Sequence, residues 1–288
     1  MTQWRIGVIG GSGLYELDGL TNRRRVEVET PWGAPSDAIL TGVLHGVEMA
    51  FLPRHGRGHV VPPGELNARA NIAALKQLGC TDLLSLSAVG SLQEGLSPGT
   101  FVVVDQYIDR TVARPASFFG TGIVAHVSLA DPVCPRLSER AFAAGQVSGV
   151  PMVRGGTYLA MEGPQFSTRA ESRLFRSWGC DVIGMTGMPE ARLAREAELP
   201  YACVGMVTDY DCWREQTADV QVADVLAVLK RNAEAARGLV DSLVRTLPDR
   251  REPSPIDTTL DLSVVTAAEL WEPALKARLA AICPRKFG

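Results

Sequence analysis

The sequence predicts an α/β fold, a central sheet covered by helices, on three observations. Short β-branched runs alternate along the chain with segments whose apolar residues recur at helical spacing. Several of the apolar runs empty directly into turns of glycine and serine, as strands do at the ligand-binding end of such folds. The chain has 288 residues, 46% hydrophobic and 21% charged, which is enough apolar material for one large core.

The elements follow in order. Arg5 to Gly10 is a short buried strand that runs into Gly10-Gly11-Ser12-Gly13, a tight turn. Residues 38–44 and 47–52 flank His45-Gly46 and predict a β-hairpin. Residues 65–78 carry Leu66, Ala70, Ala73, Ala74 and Leu78 at helical spacing and stop at Gly79. Strands at 82–86, 101–104, 157–161, 182–185 and 202–207 then alternate with helices at 136–146, 168–178, 189–196 and 220–247. Residues 248–264, proline-containing and charged at the start, are expected to form an exposed connector to a C-terminal helix over 265–283. No internal repeat divides the chain, so the expectation is a single domain over 1–288.

Composition excludes several classes of partner. With 29 basic and 32 acidic residues, a formal net charge of −3, the chain has no excess cation to track a nucleic acid. Glycines interrupt the apolar start at residues 6–13 where a signal peptide or spanning helix needs an unbroken run, which predicts a cytoplasmic protein with no membrane partner. Six cysteines, none in a Cys-x-x-Cys pair or beside a histidine in zinc-site spacing, read as reduced, mostly buried thiols.

Five segments carry candidate chemistry. Gly10-Gly11-Ser12-Gly13 offers backbone N–H groups and a hydroxyl to a small anion, or is a tight turn alone; Glu16 stands where a dinucleotide fingerprint needs its third glycine. Arg54-His55-Gly56-Arg57-Gly58-His59 puts two of the four histidines and two arginines directly after a strand, a loop suited to an anion. Ser87-Ala88-Val89-Gly90-Ser91 could complete such a site or be a β-turn. Glu162-Gly163-Pro164-Gln165-Phe166-Ser167 ends a strand and starts a helix, with Ser167 or Thr168 as N-cap and Phe166 as a core residue or a stacking face for a flat base. Thr208-Asp209-Tyr210-Asp211-Cys212-Trp213 places two carboxylates at i and i+2. Continued strand geometry would point both to one side, where they could protonate a leaving base, bind a cation, or cap a helix.

Taken together and in this order, with Met185-Thr186-Gly187-Met188-Pro189-Glu190 added, these motifs resemble the trimeric purine nucleoside phosphorylase superfamily, and more narrowly its S-methyl-5′-thioadenosine phosphorylases. The resemblance is dense from Ile6 to about Val222 and looser to Arg285. It implies a mixed, partly barrel-like sheet flanked by helices, a homotrimer, and phosphorolysis of 5′-methylthioadenosine to adenine and 5-methylthioribose 1-phosphate, with inorganic phosphate as co-substrate and neither metal nor organic cofactor. It also implies residue roles. Ser12, Arg54, His55, Ser87, Ala88 and Thr186 would bind phosphate; Met185 would lie against the ribose and Phe166 near sugar and base; Asp209 and Asp211 would act catalytically at the purine edge. Ser167 and Val222 would shape specificity, and His126 and Ile282 would reach a neighbouring subunit's 5′ pocket. An aspartate at 209 fits a 6-amino purine, since 6-oxopurine enzymes tend to carry asparagine there. Gly184 and Gly187 depart from the pattern by being small, and the same local sequence occurs in enzymes acting on methylthioinosine. The alternatives are thus a methylthioinosine or broader purine nucleoside phosphorylase, and a nucleoside-binding protein that has lost turnover.

Overall fold

In a computed structural model, residues 3–11, 17–214 and 222–288 are described, with the backbone alone for 222–227. Ser12 and the side chain of Val222 therefore lie outside the described residues. The sheet is organised around strand β5 (Asp82–Ser91), which is long because its apolar residues alternate between two covered faces. Leu83 and Val89 join one hydrophobic layer while Leu84 and Leu86 join the other, as a period of two requires.

One edge of β5 is shared by two partners. Strand β1 (Arg5–Gly10) pairs parallel with its first half, from Ile6 opposite Asp82 to Ile9 opposite Ser85. Past the end of β1, strand β10 (Val182–Gly184) pairs antiparallel with Gly90 and Ser91. The opposite edge is taken by β11 (Tyr201–Asp209) in parallel register to Gly90. From β11 the sheet continues to β6 (Phe101–Val104). The chain turns at Asp105 into β7 (Gln106–Asp109), which pairs with β9 (Thr157–Ala160), and β9 returns to β10. That circuit is joined between β6 and β7 by the chain itself at Asp105, so the sheet is mixed and partly barrel-like.

Outside the ring, β1 pairs with β4 (Val47–Pro53), β4 with β3 (Ile39–Leu44) through a turn at His45 and Gly46, both at positive φ, and β3 with β2 (Thr21–Val26). On the other side β8 (Met152–Arg154) pairs with β6. Strands β2, β7 and β8 have no counterpart in the sequence reading. β2 is polar and almost wholly exposed, and all three are short or peripheral, so they lack the apolar alternation that marks an inner strand.

Helices α1 (Ala68–Gln77) and α4 (Gly187–Glu196) cover one face through Ile72, Leu75, Leu193 and Ala194, packed with Leu52 and Leu83. Helices α2 (Pro135–Val147) and α5 (Val222–Arg245) cover the other through Leu137, Ala141, Leu239 and Leu243, packed with Val8 and Val204. Helix α3 (Arg169–Ser177) begins at Thr168, whose side chain accepts from the Glu171 amide while Glu171 accepts from Thr168 N–H. None of the described helices is long and apolar enough to cross a membrane.

Two expectations for the C-terminal region are corrected. The segment 248–264 is not an exposed connector throughout: Ser254, Ile256 and Leu260 are buried, and a short 3-10 turn spans Pro255–Asp261. Its charges are what misled the reading. Arg251 folds inward to Asp82 and to Asp257 at 2.7 Å, and Arg136 also holds the fully buried Asp82. Nor is 265–283 one helix. A 3-10 turn at Ala268–Leu270 is followed by α6 (Pro273–Leu279) and α7 (Pro284–Phe287), each restarting at a proline in its first position.

Removing one partner of a buried ion pair leaves the other desolvated and uncompensated, at a cost of about 3–5 kcal/mol. Arg251→Met should therefore lower unfolding free energy by about 3 kcal/mol, since Arg136 remains on Asp82. Urea unfolding checks this, and an unchanged midpoint would show that the segment is not pinned by Asp82.

Candidate active site

Where β1 stops and β10 has not begun, residues 86–89 of β5 have no strand partner on that edge among the described residues. Backbone groups of successive strand residues point to alternate edges. The Leu86 carbonyl points into the gap, accepting from Arg54 Nη1 at 2.9 Å, so the alternation sends the Ala88 N–H to the same side. Ala88 is exposed there while Ser87 and Val89 are buried.

Arg54 follows β4, and its side chain runs inward under this gap rather than out. It meets Glu190 of α4 at 2.6 Å through Nε and 3.1 Å through Nη2, and Ser85 Oγ at 2.7 Å. Both side chains are 3% exposed. Ser85 and Tyr201 also donate to the Glu190 carboxylate. Burial alone would lower the Arg54 pKa, but the charge and hydrogen bonds of Glu190 outweigh it and hold the guanidinium firmly protonated. Of its donors, one N–H of Nη1 has no protein acceptor among the described residues, so Arg54 offers an anion one hydrogen, not its whole fork.

The rest of that loop also differs from an exposed basic patch. Arg57 pairs with Asp37 at 2.9 Å. His55 Nδ1 lies 2.9 Å from the Val61 carbonyl, which can only accept, so the proton sits on Nδ1 and Nε2 keeps a lone pair. Burial, with Arg54 and the stacked ring of His59 4.2 Å away, pushes the imidazole pKa down to about 4 against the Val61 bond. A neutral His55 presents an acceptor, suited to a P–OH proton of a monoanion.

Thr186, between β10 and α4, is buried and its Oγ1 stands 3.3 Å from Ser87 Oγ. Beneath both lies the fully buried Tyr158 of β9, its phenolic oxygen 3.3 Å from Ser87 Oγ and 3.4 Å from the amides of Thr186 and Gly187. Sequence reasoning missed Tyr158, because an aromatic residue in a strand reads as core. The small residues noted at 184 and 187 find their reason here: a Cβ at Gly184 would collide with the Tyr158 phenol, and one at Gly187 would press on Tyr107 and Tyr158.

Met185 is half-buried and Ser167 is buried, whereas Phe166 is 54% exposed, a face available to a ligand. Arg114, also missed, ties these loops together. It donates to the Met185 and Met188 carbonyls at 2.5 and 3.0 Å and to Glu162 Oε1 at 2.9 Å. The only sequence signal for it is one arginine within a mostly small and apolar stretch.

Asp209 ends β11 and Asp211 follows in a turn. The expected strand geometry does not persist: the register shifts between Val207 and Asp209, and Asp211 has φ 49°. The carboxylates are coupled instead by a backbone contact, the Asp211 N–H donating to Asp209 Oδ1 at 2.8 Å. Thr208 Oγ1 donates to Asp209 Oδ2 at 2.6 Å, and Ser172 Oγ to Asp211 Oδ2 at 2.5 Å. Burial raises both carboxyl pKa values above the ordinary range, and the Asp209 charge adds to the rise at Asp211. Gly90 adjoins the pair, since a Cβ there would stand 3.0 Å from Asp209 Oδ1 and 3.5 Å from the Asp211 Cβ. The acid pair and the open edge of β5 are thus neighbours on one strand.

Two expected residues stand apart. His126 is exposed on a segment bridged to Val264, its amide donating to Ser263 O at 2.8 Å. Ile282 has no exposed surface and packs inside its own chain with Leu279 and Phe287, so nothing of it is left to line a neighbour's pocket. Cys212 donates to the Ser167 carbonyl and is held in place by that contact. A separate cavity of about 650 Å³, lined by Gln93, Asp105, Gly155 and Asp181 among others, includes none of the candidate site residues.

Comparison with known proteins agrees with this geometry. The family model described as the phosphorylase superfamily matches residues 5–245. The S-methyl-5′-thioadenosine phosphorylase of Cereibacter sphaeroides is 58% identical over 282 residues, 97% of each chain. A crystal structure of a methylthioadenosine phosphorylase from an antarctic soil metagenomic library superposes with a TM-score of 0.93 at 46% identity, covering 99% of this chain and 100% of the other. The methylthioadenosine phosphorylase of Schistosoma mansoni in complex with adenine gives 0.80 at 38% identity, covering 84% and 91%.

The Arg54–Glu190 pair is more than nine-tenths buried and depends on both members. Glu190→Ala should destabilise the protein by about 3–5 kcal/mol, measured by denaturant unfolding, because the guanidinium is left charged and unpaired. Full stability would mean that Arg54 finds solvent or another acceptor.

Proposed function

The chain belongs to the phosphorylase superfamily and, within it, to the S-methyl-5′-thioadenosine phosphorylases, and on that premise we propose that it cleaves 5′-methylthioadenosine with inorganic phosphate, releasing adenine and 5-methylthioribose 1-phosphate. The observation that carries this is the juxtaposition across Gly90 of a buried carboxyl pair and an unpaired strand edge with the Ser87 and Thr186 hydroxyls.

As the C1′–N9 bond stretches, positive charge builds on the ribose and the bonding pair moves to the purine. Asp209, whose carboxyl pKa burial raises, donates its proton to N7 of the leaving base, and Asp211 accepts from its 6-amino group. Phosphate, held by Ala88 N–H, Ser87, Thr186, His55 Nε2, the remaining Arg54 hydrogen and Ser12, forms the new bond at C1′ from the opposite face. Phe166 and Met185 flank sugar and base, and Ser167 and Val222 tune what the pocket accepts. An apolar 5′ pocket favours methylthio over hydroxyl, since a desolvated hydroxyl without a partner costs roughly 1–3 kcal/mol. The rings of Tyr158 and Tyr107 fill the room at Gly184 and Gly187, so the two glycines have a packing reason of their own, independent of the base bound. The enzyme acts in the cytoplasm as a homotrimer, and His126, being exposed, enters a neighbour's 5′ pocket. No metal or organic cofactor takes part in the steps as written.

Free base released fastest from methylthioadenosine, and only with phosphate, is the expected result against methylthioinosine and adenosine. Faster hypoxanthine release would overturn the assignment of Asp209 and keep the reaction, whereas no phosphate-dependent release would favour a binding protein. Asp209→Asn should lower kcat on methylthioadenosine by about 100-fold, the scale of a lost general acid, and leave phosphate affinity unchanged. Because the protonated carboxyl is the active form and its pKa is raised, wild-type kcat at saturating phosphate should hold at low pH and fall as pH rises through that value. The Asn variant should lose this limb, and a limb that persists unchanged in the Asn variant would remove Asp209 as the acid.

A further inference from the structure

Tyr158 is fully buried, yet its hydroxyl sits among three polar groups at the floor of the open β5 edge. Two are backbone N–H donors, Thr186 and Gly187, both directed at the phenolic oxygen. An N–H can only donate, so these two occupy the oxygen as an acceptor, and its single proton is left for Ser87 Oγ, 3.3 Å away. With its oxygen so engaged, Ser87 must donate in turn: to the Ala88 carbonyl at 3.4 Å, to Thr186 Oγ1 at 3.3 Å, or outward to an anion. When Thr186 accepts, its own proton is the one that faces outward. An anion at the mouth of the site therefore competes for a Ser87 or Thr186 proton only with the long bond to Ala88, and the direction of the chain is set by Tyr158.

We propose that Tyr158 is a positioning residue for phosphate: its phenol fixes the proton direction of the Ser87 and Thr186 hydroxyls that receive the anion. This rests on the phosphorolysis reading above. The surroundings fit the role. Burial raises the phenol pKa, so the hydroxyl stays protonated wherever the enzyme works. Gly184 and Gly187 leave the space that the ring and hydroxyl occupy, and Tyr107 braces the ring at a centroid distance of 5.3 Å. The 3.3–3.4 Å separations are at the long end for such bonds, and an anion drawing on Ser87 or Thr186 shortens them.

Tyr158→Phe keeps the ring and removes only the hydroxyl. Its expected effect is a rise of about tenfold in KM for phosphate, the scale of one hydrogen bond to a charged ligand, with KM for methylthioadenosine within twofold of wild type. A purely structural tyrosine would raise both KM values together or lower stability alone, and either result overturns the proposal. Gly184→Ala, whose methyl displaces the phenol, gives an independent variant with the same expected split. In a cycle with Ser87→Ala, the Tyr158→Phe effect on phosphate should largely vanish, and full additivity would break the link between the two hydroxyls. Calorimetric titration of each variant with inorganic phosphate, without nucleoside, reads Tyr158 directly. Weaker phosphate binding in the variant beside a wild type that shows no turnover would sink the reaction but not Tyr158; equal binding beside an active wild type would sink Tyr158 alone.

Discussion

The buried pair of Arg54 and Glu190 is the constraint around which the site is arranged. It joins residues 136 positions apart, and it joins the two covered parts of the structure that define the site: the loop after β4 and the helix after β10. A guanidinium so deeply buried survives only with a full set of acceptors, and these come from Glu190, Ser85 and the Leu86 carbonyl. Meeting that requirement keeps Ser85 polar between Leu84 and Leu86 in a buried stretch of the strand. It also ties the unpaired edge of β5 to α4. The open edge is therefore a supported feature of the fold, not a frayed strand.

Strand β5 connects this floor to the acid pair. Its odd-numbered residues face one layer, and reading along them gives Leu83, Ser85, Ser87 and Val89, so hydroxyls stand in mid-strand between apolar ends. Ser85 serves Arg54, Ser87 serves the Tyr158 and Thr186 cluster, and Gly90 makes room for Asp209. One strand thus positions anion groups and leaving-group acid at fixed separation along its rise, a geometry that a set of independent loops would hold less firmly.

Much of this was legible before any coordinates, and the parts that were not share a cause. The apolar strands, the hairpin at His45-Gly46 and helices α1 to α4 were visible because periodicity and turn chemistry are local properties. The aspartates were visible because two carboxylates at the end of an apolar strand are chemically odd. What local reading could not supply was pairing over distance. The sequence shows Arg54 in a loop suited to an anion but not its buried pairing, since Glu190 is far away in sequence, and Arg251 made 248–264 look exposed since Asp82 is likewise distant. Tyr158 and Arg114 were missed for a related reason: a buried tyrosine and an isolated arginine have no pattern of their own, and their partners are mostly backbone groups. Ile282 was misplaced because an apolar residue near a terminus does not reveal whether it covers its own chain or another.

The state of charge in the anion site also bears on how phosphate reacts. Arg54 is neutralised by Glu190, His55 is neutral, and Arg57 is drawn off to Asp37, so what remains around the open edge is chiefly N–H and O–H groups. A phosphate clamped by unpaired guanidinium groups would be stabilised as much in the ground state as in the transition state, and would be a poorer nucleophile for it. Neutral donors fix its orientation without quenching its charge, which is then free to interact with the cation developing at C1′. In the proposed reaction the strongest electrostatic contact of phosphate is made in the transition state, with the sugar, and the buried Arg54–Glu190 pair is what allows the protein to hold an anion without competing for that charge.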